Sequence, residues 1–368
     1  MNRVIVLKAD YNNIKDKIRD VLYTLLPSPN PTSVLLKPNL LSGNEPEKAI
    51  CTNPLFIKAV MELLEEKGIR VVVSDNPGVS GYGASLREAK KAGIIDTVGE
   101  RFQNPAQFAE RAAMESRFTD SFVVSGNISR AEYVINLPKF KTHSLTLFSG
   151  AIKNMFGILV GGEKARAHSL ATTREEFGEL LVDIYNIRVP ELTIMDAVLG
   201  MEGAGPSNGR PRDIGRVIIS ENGFAVDAVC ARMMGISPYD IPYLKAAIDR
   251  GLIIPDEIEV IGDVEILKDF RIPSTFLKAN LLGGSFINFV NGFIFDNFIR
   301  GAARLKLKKK RCTKCYVCVR QCPVGAMKKD RDDFPYIDKK VCIGCYCCDE
   351  LCPEHAWRHS GIMRLIGH

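Results

Sequence analysis

Nine of the eleven cysteines in this 368-residue chain fall between Cys312 and Cys352. Cys312, Cys315, Cys318 and Cys322 read C-x2-C-x2-C-x3-C and are followed by Pro323. Thirty residues later Cys342, Cys345, Cys348 and Cys352 repeat the spacing and end on Pro353. Val324-Gly-Ala326 and Glu354-His-Ala356 carry the repeat onward. Thiolates at such intervals bind metal or do redox work. A disulfide framework would need an oxidising compartment, and the apolar run at the N-terminus, Val4-Ile-Val-Leu7, is too short for a signal peptide. No run of eighteen apolar residues suggests a membrane span. A cytoplasmic setting is therefore expected.

Three thiolates separated by two residues wrap one corner of an iron–sulfur cubane, and the fourth ligand must come from elsewhere. The doubled run matches the bacterial two-cluster ferredoxin pattern, in which the last cysteine of each run ligates the other cluster. On that rule Cys312, Cys315, Cys318 and Cys352 hold one 4Fe–4S cluster, and Cys342, Cys345, Cys348 and Cys322 hold the second. Paired zinc sites are the competing reading, but they use two C-x2-C pairs without a third cysteine or the Cys-Pro ending. Cys347 is surplus to both sets and is expected to be a spare thiol pointing away. Residues 300–368 carry sixteen Lys and Arg against seven Asp and Glu, while residues 1–299 carry 33 against 36. A positive tail favours reduced clusters and attracts acidic redox partners, although Lys306-Leu-Lys-Lys-Lys-Arg311 also reads as a solvated linker. Sparse aromatic residues there disfavour nucleic acid.

A second set of polar residues needs a scaffold to bring it together. Val4–Leu7, Ser33–Lys37, Ile69–Ser74, Glu132–Asn136, Leu192–Asp196 and Gly215–Ser220 read as strands. Helices are expected from Pro54 to Lys67, from a Thr172/Glu175 capping box to Ile187, from Ala84, and from Ser237-Pro238 to near Gly251. The alternation predicts an α/β class: a large domain (1–265) with a mostly parallel sheet flanked by helices, a connecting segment (266–305), and a small α+β ferredoxin-like two-cluster domain (306–360). Ordinary composition, 46% hydrophobic and 25% charged, supplies a sizeable core. The segment Thr275–Ile299 carries six phenylalanines and reads as apolar packing between domains, in preference to contact with a membrane surface.

In open α/β sheets ligands sit beyond the carboxyl ends of the strands. The residues expected there are Lys37, Asn39, Asp75, Lys139, Lys141, Lys153, Asn154, Asp196 and Glu202, as a site for a small anion. His143 and His168 are the candidates expected for proton delivery or metal ligation, with a structural histidine as the alternative for either one. Lys139, Lys141 and His143 alternate and would share a face if extended. The glycine-rich stretch Asp75–Gly83 is neither a Walker loop nor a dinucleotide fingerprint, so it reads as a turn. Sequence leaves a flavin or further metal undecided.

The large domain resembles the family catalogued as "domain of unknown function 362", which often carries a two-cluster ferredoxin module at one end. The resemblance runs over most of residues 30–265. It rests on Lys37-Pro-Asn39, Lys139-Phe-Lys-Thr-His143, Ala151-Ile-Lys-Asn-Met-Phe-Gly157, His168, Asp196, the Glu202-Gly-Ala-Gly-Pro206 loop and Val226-Asp-Ala-Val229. It implies an architecture and a cofactor class, and no catalytic assignments. Together these features predict an iron–sulfur redox protein whose tail passes electrons to an anionic substrate or cofactor, with a redox partner protein. The alternative is a non-catalytic electron carrier or adaptor. A metal-dependent hydrolase ranks last, since it leaves the tail without a purpose.

Overall fold

The structure is a computed structural model and describes residues 2–77, 84–273, 304–322, 324–342, 347–350, 352–354 and 356–360. The phenylalanine-rich segment, residues 78–83 of the glycine-rich stretch and Cys345 lie outside the described residues.

The strands of the large domain are β1 (Arg3–Lys8), β2 (Ser33–Pro38), β3 (Arg70–Val73), β4 (Ala109–Ala113), β5 (Ser121–Ser125), β6 (Tyr133–Leu137), β7 (Lys139–His143), β8 (Leu147–Ser149), β9 (Leu192–Glu202), β10 (Arg210–Ser220) and β11 (Glu259–Gly262). They form a mostly parallel mixed sheet in the order β11-β1-β10-β9-β6-β2-β3, with β7 pairing β9 and β8. β4 and β5 form a separate antiparallel pair. The chemistry of the strands explains the layering. Successive residues point to opposite faces, and both faces here are apolar. Val34, Leu36, Ile135, Ile194, Val217 and Ile219 pack on one side, under the helices Ile14–Leu25 and Pro54–Glu66. Leu35, Val134, Met195 and Ile218 pack on the other, under Arg174–Ile187, Gly223–Met233 and Pro242–Asp249.

Three expectations need correction. The capping box sits one residue later, on Thr173 and Glu176, because the Thr173 hydroxyl accepts from the Glu176 backbone N–H. The helix from Ser237 is interrupted: a short turn, Pro238–Asp240, precedes Pro242–Asp249, since Pro242 has no N–H to continue the first turn. Asp196 does not end its strand. β9 runs on to Glu202, paired antiparallel with a β10 that starts at Arg210; the register shifts between Asp213 and Arg216, where Gly215 takes a left-handed φ of 64°.

In the tail, Arg304–Leu307 pairs antiparallel with Trp357–Ser360, and Met327–Lys329 with Pro335–Ile337. The short helices Val317–Arg320 and Cys347–Glu350 follow the first ligands of the two cysteine runs. First strand with last and middle with middle is the pairing expected of a duplicated unit folded on itself.

Candidate functional site

The carboxyl ends of three adjacent parallel strands build the floor of the site. β2 delivers Lys37 and Asn39, β3 leads into Asp75, and β6 ends in Asn136 and Leu137. Lys37 donates to Asp75 Oδ1 at 2.7 Å, and both side chains are fully buried. Burial lowers the Lys37 pKa, and the Asp75 charge opposes that shift. Asp75 Oδ2 accepts from the Leu40 N–H at 2.7 Å, so one carboxylate fixes both the lysine and the chain that leaves β2. A Cβ on Gly157 would lie 2.3 Å from Asp75 Oδ1 and 2.8 Å from Lys37 Nζ. Only glycine lets the backbone lie against this ion pair.

An amide relay runs across the floor. Asn154 Nδ2 donates to Asn136 Oδ1 at 2.7 Å and to the carbonyls of Lys37 and Pro38. Asn154 Oδ1 accepts from Asn39 Nδ2 at 3.0 Å, and Asn39 Oδ1 accepts from Lys141 Nζ at 2.6 Å. Lys141 also donates to the Ile50 carbonyl. Thr52 ties the return loop to the sheet by donating its hydroxyl to the Leu137 carbonyl and accepting the Asn39 N–H.

Asn154 is aimed by a buried carboxylate in the next layer. Asp227 accepts the N–H groups of Ala151 at 2.6 Å and Ile152 at 3.1 Å. A side chain on Gly150 would fill this cradle, since its Cβ would sit 2.0 Å from Asp227 Oδ1. Burial pushes Asp227 up to about 7, opposed by those two N–H donors. Because the folded value lies above the unfolded one, the folded state holds the extra proton between about pH 4 and 7. This group's stabilising contribution is complete below that window and is lost as pH rises through it, by up to about 1.4 kcal/mol per pH unit. Urea melts at several pH values should show the decline in the native chain, and Asp227→Asn should abolish that slope. An unaltered slope in the variant would rule out this titration.

Above the floor lies a cavity of about 500 Å³ lined by Asn39, Asp75, Lys141, His143, Lys153, Asn154, Lys164 and His168 among others. His143 Nδ1 accepts the N–H groups of Leu145 and Thr146, at 3.1 and 3.3 Å. A neutral imidazole therefore carries its proton on Nε2 and can donate it. The His168 ring stacks on Phe177, with centroids 4.4 Å apart. Lys153 Nζ lies 4.5 Å from the Phe156 ring centre, a cation–π contact at the wall. Lys164 Nζ donates to the carbonyls of Asn76 and Pro77.

Three expected residues, Lys139, Asp196 and Glu202, serve elsewhere. β7 is extended as the alternation requires, yet its register on β9 shifts between Lys139, opposite Asp196, and Lys141, opposite Met201. Lys139 thus leaves the cavity wall and pairs with Asp196 at 2.7 Å, both side chains fully buried. The Tyr11 hydroxyl and the Asn53 N–H also donate to that carboxylate. Burial lowers the Lys139 pKa, and burial reinforced by the Asp196 charge raises that of Tyr11. Glu202 lies at the hairpin end of β9, with Arg212 and Arg271 3.8 Å away, outside the cavity lining. Among the described residues, no three carboxylate, imidazole or thiol groups cluster around one point as a single-ion site would need.

Cys312, Cys315, Cys318 and Cys352 line a separate small cavity in the tail, together with Trp357. Three come from the first run and one from the second. The buried Trp357 indole N–H meets no oxygen or nitrogen acceptor among the described residues and lies by Cys318, whose thiolate it favours. It is a donor suited to a ligating sulfur. Burial pushes the Cys318 thiol up to about 11 and raises Cys352 as well. These thiols would give up their protons only on coordination. Cys322 Sγ accepts the Ala326 N–H at 3.1 Å, and Cys352 Sγ accepts the Ala356 N–H at 3.2 Å, the same offset in each half. The donor set fits a thiolate-held iron–sulfur centre.

The family model described as domain of unknown function (DUF362) matches residues 34–232, over half of the chain. The chain belongs to this family. A model described as 4Fe-4S binding domain matches residues 306–328, so this DUF362 member carries an iron–sulfur binding domain at its tail. A thylakoid-associated protein of Synechocystis sp. is 34% identical over 221 residues, covering 60% of this chain and 68% of that one. The lactate racemase apoprotein from Thermoanaerobacterium thermosaccharolyticum is similar with a TM-score of 0.41 at 10% identity, over 64% of this chain. The DUF362 chain spans 58% of that protein's length. Among the described residues, no helix is long and apolar enough to cross a membrane.

Sequence reasoning missed Tyr11, Thr52, Gln321 and Cys347. Cys347 is buried and, with Gln321, lines the large-domain cavity. Asn208 Nδ2 donates to Asp349 Oδ1 at 2.8 Å and fastens the Cys347–Glu350 helix to the large domain. Only the odd count of cysteines singled out Cys347.

Proposed function

We propose that this DUF362 protein is an iron–sulfur oxidoreductase in which two 4Fe–4S clusters serve a small anionic substrate or cofactor held at the strand ends. When bound, such clusters supply electrons one at a time. The single observation that carries the reading is the position of Gln321 and Cys347. Both belong to the tail, yet both line the cavity that holds Lys141, Lys153, His143 and His168. An electron-carrying module and a cationic cavity with a proton donor are thus one unit. Lys153 and Lys164 supply positive charge at the wall, Lys141 extends it through Asn39, and His143, whose Nδ1 accepts two backbone N–H groups, would give its Nε2 proton to a ligand that gains electrons. A thiolate cofactor of this kind suits a reducing, cytoplasmic setting.

Anaerobic purification, followed by iron and sulfide analysis and mass spectrometry of co-purifying small molecules, tests the reading. A carboxylate- or phosphate-bearing molecule should be recovered or bound. Lys153→Met should weaken its binding about tenfold, the order of one charge-assisted contact, with bound iron unchanged. Unaltered affinity in that variant, or no anion bound at all, would favour the adaptor reading.

A further inference from the structure

The two cysteine sets do not face the same surroundings. On the ligand assignment above, Gln321 and Cys347 are chain neighbours of Cys322 and Cys348, both ligands of the second set. The second set therefore abuts the substrate cavity. The first set lines a separate cavity and reaches solvent, since Cys315 and Thr313 are exposed. The chain around it is cationic. Lys309, Lys310 and Arg311 precede Cys312 and are exposed, and Lys314 precedes Cys315. Lys309 lies near Asp330 and Asp332, and Lys314 donates to the Asp332 carbonyl. Lys310 and Arg311 are exposed with no ion pair between them and an acidic side chain among the described residues.

We propose that the surface formed by Lys309–Lys314 and Cys315 is where an acidic electron-carrier protein docks, so that electrons enter at the first cysteine set and leave at the second, beside the cavity. This inference rests on the two-cluster reading of the tail. The carrier loses one electron in each encounter and the tail gains it; no bond is made or broken and no proton moves. The occupant is a negatively charged protein because the cationic side chains flank Cys315, the exposed ligand among the described residues, and complementary charge steers and orients encounter. The repeat places Lys339 and Lys340, also exposed, at the corresponding position before Cys342, where Val341 replaces Arg311. That second basic site is the internal control.

The probe is an acidic plant-type 2Fe–2S ferredoxin in its oxidised state, titrated into the reconstituted full chain by calorimetry. Affinity should fall at least about tenfold between low and moderate salt, as expected of exposed charge pairs. Lys310→Glu with Arg311→Glu should lower it at least about tenfold at low salt, while Lys339→Glu with Lys340→Glu should change it less than about twofold. The reduced probe should transfer electrons correspondingly slowly to the first variant, whereas a small uncharged reductant should reduce native chain and variant equally. Binding that ignores salt and the first pair of reversals, or that is lost only with the second pair, overturns the assignment. Iron and sulfide counts on the same preparations keep the two readings apart. About four irons per chain instead of about eight would refute the two-cluster reading, whatever the docking result.

Discussion

Changing Cys352 to serine should strip the iron held by the first cysteine run, although Cys352 belongs to the second. The structure gathers Cys312, Cys315, Cys318 and Cys352 around one cavity beneath Trp357. The swap can be read cleanly in two steps. Cys345→Ser should first remove the second centre and leave about half of the native iron, roughly four atoms per chain. Adding Cys352→Ser to that background should then remove nearly all that remains. If each run held its own centre, the second substitution would cost nothing further, and the residual iron and its electron paramagnetic resonance signal would persist. The expected loss is large because a cubane with three thiolates from a short loop lacks one corner ligand, and the buried Cys318 thiol, pushed up to about 11, has no reason to stay ionised without metal.

The second large effect concerns stability. Asp75→Asn should destabilise the fold by about 3–5 kcal/mol, the cost of leaving a buried charge without its partner. Lys37 and Asp75 are 0% and 2% exposed, so water cannot screen the orphaned ammonium. The Leu40 N–H loses a charged acceptor in the same change. Lys37→Met combined with Asp75→Asn should recover part of the loss, because a neutral pair of similar volume removes the desolvation penalty from both sides. Urea unfolding monitored by far-ultraviolet circular dichroism reads both. A loss below about 1 kcal/mol for Asp75→Asn would mean that the pair is solvated in solution and that the floor of the site is looser than its geometry indicates.

The fold was legible in the sequence to the extent that it rests on local patterns. The six apolar strand segments and the helices from Pro54 and Ala84 follow from hydrophobic periodicity, caps and glycine stops, and the repeat of the cysteine runs is visible without any structure. The continuation of β9 past Asp196 was hidden because its partner, β10, begins with Arg210-Pro-Arg-Asp213, polar residues that look like loop until paired. The strand-end rule placed Asn39, Asp75, Lys141 and Asn154 in one neighbourhood. It could not show that Lys37 and Lys139 spend their charge on buried carboxylates, since pairing depends on register: one shift between Lys139 and Lys141 sends two lysines of one strand into different networks. Gln321 and Cys347 were invisible for a different reason. Nothing in a chain of residues reveals which face of one module rests on another, and Cys347 was expected to point away when it lines the cavity instead.

The proposed chemistry requires that tail and cavity act together. The direct measurement is anaerobic: reduce the reconstituted chain with dithionite, remove the excess, add the anion that co-purifies, and follow the centres by absorbance. The centres should reoxidise on addition of the anion, and Lys153→Met should slow this without changing the iron content. Centres that stay reduced while the anion demonstrably occupies the cavity would contradict the account.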